Sequence, residues 1–85
     1  MKNTIQINNL NITKRDSLFG DYFIIYDNDN NEAYFAFENK LSDEAWNDLE
    51  TKANTIKEIL LEYEKNTKGH QITDFKIIDQ EEFIN

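Results

Sequence analysis

Two strand-forming runs joined by a string of turn residues constrain this chain most. Residues 22–26 read Tyr-Phe-Ile-Ile-Tyr and residues 33–37 read Ala-Tyr-Phe-Ala-Phe. Aromatic and β-branched side chains of this kind suit a pleated, half-buried surface. Between them stand Asp27, Asn28, Asp29, Asn30, Asn31 and Glu32. Asn and Asp bond to their own backbone and tolerate left-handed φ, so this run interrupts regular structure. The pattern predicts a β-hairpin.

The other segments are read by period. Residues 4–12 alternate, with Ile5 and Ile7 in one phase and Leu10 and Ile12 in the other. The phase changes at Asn8-Asn9, which predicts one bulged strand or two short ones. Ser42 is a good helix N-cap, and Asp43 and Glu44 suit the positive end of a helix dipole. Trp46, Leu49, Ala53, Ile56, Leu60 and Tyr63 then follow at alternating spacings of three and four. That stripe predicts one amphipathic helix of roughly 24 residues, about 36 Å long. Lys65, Lys68 and Gly69 would close it. A capping-box pattern at Thr55 to Glu58 allows a break near Asn54-Thr55, but the unbroken stripe favours a single helix. Residues 71–78 alternate again and predict a last strand, and residues 80–85 read as an acidic tail containing Phe83. The expected order is β-β-β-α-β. The expected class is α+β, a small antiparallel sheet with the central hairpin and one long helix packed on one face.

Residues 1–85 form a single domain by length. A chain this short buries roughly 60–65% of its unfolded surface. The absence of Cys excludes a disulfide framework and a thiolate metal site. No N-terminal apolar run is long enough for a signal peptide or a membrane span, so the cytoplasm is the expected location.

The charge is concentrated. Residues 21–50 carry nine carboxylates against Lys40 alone, a local charge of −8 that equals the net charge of the chain. Such a field repels nucleic acid and anionic membrane surfaces and attracts basic proteins. Glu44 and Asp48, one helical turn apart, repel each other, and a basic partner would relieve that repulsion.

Catalytic and metal chemistry find little support. Asp27, Asp29 and Asn31 have the spacing of the first three ligands of an EF-hand loop, with Glu38 at the twelfth position. Glu32 replaces the glycine that such a loop needs at its sixth position, and the flanks read as strands. A solvated turn is the expected state. His70 is the one histidine, expected near a helix end at the surface, and no nucleophile–base pair stands out. No catalytic residue, metal or cofactor is expected. Tyr22, Tyr26, Tyr34 and Phe35 could stack bases, but single-strand binders pair such aromatics with positive charge. Direct nucleic-acid binding is not expected.

In size, acidity, lack of cysteine and lack of an evident active site, the chain resembles small phage and mobile-element anti-defence proteins, anti-CRISPR proteins in particular. This is a resemblance of overall character along the whole length, carried by no single motif. It implies a non-enzymatic inhibitor that occupies a nuclease or other nucleic-acid-handling protein. Carboxylates there would stand in for phosphates. The expected contacts are Asp27, Asp29, Glu32, Glu44, Asp48 and Glu50, with Tyr26 or Tyr34 as an aromatic anchor. Alternative readings are a self-associating module, with the acidic face serving solubility, and a toxin-neutralising immunity protein. A monomer and a homodimer are both compatible with the sequence.

Overall fold

A computed structural model of the chain describes residues 2–81. Six strands and one short helix follow in order: β1 Asn3–Ile7, β2 Leu10–Arg15, β3 Tyr22–Asp27, β4 Glu32–Phe37, α1 Asp43–Lys52, β5 Ile56–Asn66 and β6 Gly69–Gln80. The strands form one sheet in the order β1-β5-β6-β4-β3-β2. All pairs are antiparallel except β4 with β6, which is parallel.

The expected α+β fold with one long helix is overturned. The helix ends at Lys52, a single 3₁₀ turn covers Ala53–Thr55, and the chain then runs as strand from Ile56. The apolar stripe misled because a strand can satisfy it. Ile59 and Leu61 are buried two residues apart, while Leu60 between them and Glu62 after them are half-buried. The spacing of three between Ile56 and Ile59 is absorbed by irregular pairing around Glu58. The capping-box signal marked a true boundary, but a strand follows it and not a second helix. The expected last strand is the second arm of a long β5–β6 hairpin. Its turn places Gly69 at φ 122°, and the Lys68 N–H donates to Asn66 Oδ1 at 2.9 Å. Gln80 and Glu81 are the only described members of the expected acidic tail. Phe83 lies outside the described residues.

The β3–β4 hairpin is present with the predicted turn. Phe23 lies opposite Ala36 and Ile25 opposite Tyr34. All four are buried, and their neighbours Tyr22, Ile24, Phe35 and Phe37 face outward. Asn31 takes the left-handed conformation, φ 55°, that closes the turn.

The phase change at Asn8-Asn9 resolves into two strands at opposite ends of the sheet. β1 pairs with β5 and β2 with β3. Ile7 and Leu10 are three residues apart, about 10 Å at most, so the sheet must curl until its two ends meet at this corner. Ile5 and Ile7 from one end, and Leu10 and Ile12 from the other, then pack on the same core. The corner is clasped to the β3–β4 turn: the Asn28 N–H donates to the Asn9 carbonyl at 2.9 Å, and Asn9 Nδ2 donates to Asp29 Oδ1 at 3.0 Å. α1 adds Trp46 and Leu49 to the interior, with Trp46 against Phe23 at 5.0 Å between ring centres.

Candidate functional site

The seven expected contact residues fall into three groups. Asp27 and Tyr34 are each 2% exposed and are withdrawn from any partner. Asp27 turns inward because its carboxylate organises the hairpin turn. It accepts from the N–H groups of Asp29 at 3.1 Å and Asn30 at 3.4 Å, and from Asn30 Nδ2 at 2.8 Å. This is an Asx turn, and it uses oxygens that an EF-hand loop would give to a cation. Among the described residues no group of three or more His, Cys, Asp or Glu side chains is arranged to hold a metal ion.

Tyr34 belongs to an interior cluster with Tyr63 and His70, with ring centres 5.0–5.1 Å apart. Burial pushes its phenol up to about 12, and the neighbouring Tyr63, Asp27 and Glu32 add to the rise. The inward phase of β4 places it there, since Tyr34 and Ala36 share a side of the strand. His70 is likewise not at a helix end. It lies on β6, stacked on Tyr34, with Nδ1 3.6 Å from Glu32. Tyr26, the other expected anchor, is half-buried on the outer face.

Glu50 is exposed but engaged within the molecule. It accepts from the Trp46 indole N–H and pairs with Lys14 at 3.4 Å. The helix periodicity explains this, because Trp46 and Glu50 are one turn apart.

The remaining four acids form two patches. Asp29 and Glu32 are exposed at the hairpin turn. Glu44, exposed in the first turn of α1, and Asp48, paired with Lys52 at 3.4 Å, face Asp74 across a groove that also involves Ser42 and Phe75. The two patches are separated along the sheet. β6 runs parallel to β4 beside Tyr34, and Asp74 lies four residues, about 13 Å, beyond His70.

Sequence reasoning missed Asp74 and Asp79, which join the helix acids only because the chain returns as β6 beside α1. It also missed Leu18 and Phe19, which are 99% and 95% exposed. They sit on a turn held by Gly20 N–H to the Ser17 carbonyl at 3.2 Å and Ser17 Oγ to the Gly20 carbonyl at 2.6 Å. An apolar pair between Ser17 and Gly20, inside a polar connection, was the available signal. Near them Tyr22 and Phe37 touch on the outer face, 5.5 Å between centres.

Comparison with protein-family models, with curated proteins and with solved structures finds no match for this chain. No helix of the described residues is long and apolar enough to cross a membrane.

Proposed function

We propose that the protein is a non-enzymatic acidic inhibitor that binds a basic nucleic-acid-handling protein, such as a CRISPR effector or another nuclease, in the cytoplasm. The observation that carries this reading is the meeting of Glu44, Asp48 and Asp74 on one open groove, where among the described residues only Asp48 has a cation partner, Lys52. Carboxylates fixed on a helix and a strand present negative charge at short, fixed spacing, as a nucleic-acid backbone does. The net charge of −8 steers a basic partner toward that surface.

The test is retention of basic proteins from a bacterial lysate at low salt, comparing the native chain with Glu44→Lys/Asp48→Lys. The native chain is expected to retain a basic nucleic-acid enzyme that salt releases and that DNA or RNA competes away. Equal retention by the folded double variant would sink the charge-mimic mechanism.

A second reading has an observation of its own. Leu18 and Phe19, both exposed on a hydrogen-bonded turn, favour a self-associating module. Under it, light scattering would show a salt-tolerant dimer that Leu18→Ser/Phe19→Ser dissociates.

A further inference from the structure

Among the described residues, β6 past Gln71 has a strand on one side only. β4 meets it at Tyr34↔His70 and Phe35↔Gln71. Among the described residues no strand pairs with that same edge from Thr73 to Gln80. The register shows which backbone groups face outward. Glu62 lies opposite Asp74, and its carbonyl turns toward β6, accepting from the Thr73 hydroxyl at 3.3 Å. Backbone groups alternate between the two sides of a strand. Asp74 and Lys76 therefore bond toward β5, while Phe75 and Ile77 point to the open edge. The Phe75 N–H donates to the Oδ1 of Asp74 at 2.9 Å, a side-chain cap suited to an edge amide with no strand beside it.

α1 stands across from this edge. A groove of about 540 Å³ separates them, lined by Asp48 and Lys52 on the helix and by residues 75–80 on the strand. Six strand residues extend about 20 Å.

We infer that this groove receives an extended basic segment of the partner, which adds to the β6 edge as a further strand. The inference rests on the reading above that the partner is basic. Main-chain hydrogen bonds to Phe75 and Ile77 supply the docking, as in other strand additions. Charge sets the polarity of the occupant. At one end of the groove Glu44 and Asp74 form no ion pair among the described residues, whereas Asp48 is paired with Lys52, and Lys76 and Asp79 mix charges toward the other end. A Lys or Arg of the incoming segment belongs beside Asp74. There it draws the carboxylate off the Phe75 N–H and frees that donor for an incoming carbonyl. The helix wall favours a single chain over a second copy of this protein, whose β6 would bring its own β5 and α1 into the gap.

The probe is an acetylated Lys-Val-Lys-Val-Lys-Val amide, compared with the same peptide N-methylated at alternate residues and with its Glu-Val counterpart. Amide exchange and chemical shifts of the full chain are followed by NMR. The expected result is salt-sensitive binding of the basic peptide that slows exchange at Phe75 and Ile77. N-methylation should abolish it, the Glu-Val peptide should not bind, and Asp74→Asn should weaken it roughly five-fold. Equal binding of the N-methylated peptide, slowed exchange elsewhere only, or no binding at millimolar peptide would overturn the inference. So would slowed exchange at Phe75 that follows protein concentration without peptide, which would assign the edge to a second copy. A basic partner that is lost on Glu44→Lys/Asp48→Lys, yet leaves the Phe75 and Ile77 amides exchanging freely in its complex, overturns the strand addition alone. The proposed function would then stand.

Discussion

Asp27 shows how one side chain can belong to the fold although its type suggests a surface site. Its carboxylate bonds two turn amides and one side-chain amide while almost wholly buried. Leaving those donors without a partner costs about 1–3 kcal/mol. Asp27→Ala is expected to lower stability by that amount in urea unfolding, and an unchanged midpoint would place the turn's stability elsewhere. Tyr34 makes a prediction about alkali. Its phenol ionises near 10.0 in the unfolded chain and at about 12 in the folded one. Above pH 10 the unfolded state loses this proton while the folded state keeps it, so stability falls as pH rises. The loss should develop between pH 10 and 12 and reach at most about 3 kcal/mol. Tyr34→Phe is expected to flatten that part of the stability–pH curve, measured by urea midpoints.

At the scale of elements, α1 and the β5–β6 hairpin carry the distinct lessons. Ser42 caps α1 by accepting from the Ala45 N–H at 3.1 Å. Ser42→Ala should cost about 1 kcal/mol, read as a lower thermal midpoint. Gly69 stands at φ 122°, and a Cβ there would lie 3.3 Å from the Phe35 ring. Gly69→Ala should therefore destabilise by more than the roughly 1 kcal/mol that an unstrained glycine substitution can contribute. An equal or higher midpoint would mean that the turn relaxes into another form. The helix cap was legible in the sequence, because a cap depends on a few neighbouring residues, but Gly69 was read as the glycine that closes a long helix and instead closes the β5–β6 turn. Residues 56–66 were not legible. Their apolar residues fit both a helical stripe and a buried strand, and nothing local separates the two. Pairing does: β1 lies on one side of β5 and β6 on the other, so this segment as a strand satisfies the facing backbone groups of both neighbours, which a helix, bonded only to itself, would leave unpaired.

For the whole molecule the charge distribution is the dominant property. Net charge is −8, and the described ion pairs are few: Lys14 with Asp21 and Glu50, Lys52 with Asp48, and His70 with Glu32 when that histidine is protonated. Repulsion should outweigh these exposed pairs, each worth roughly 0–1 kcal/mol. The thermal midpoint is expected to rise between ~10 mM and ~0.5 M sodium chloride as the repulsion is screened. A falling midpoint would show that the pairs dominate.

The sequence by itself determined the β3–β4 hairpin, the start of α1 and the change of phase at Asn8-Asn9. Each follows from side chains acting on their own stretch of backbone. It also determined the total charge. The curled sheet, the fate of residues 56–66, the burial of Asp27 and Tyr34, and the meeting of Glu44 and Asp48 with Asp74 came only with the tertiary structure. Asp74 lies 30 residues beyond Glu44, and a groove between them exists only once β6 has paired with β5 and α1 has docked on Phe23. Periodicity records which side of an element is apolar. It does not record which distant element will cover that side, and that choice decides where the surface charge is displayed.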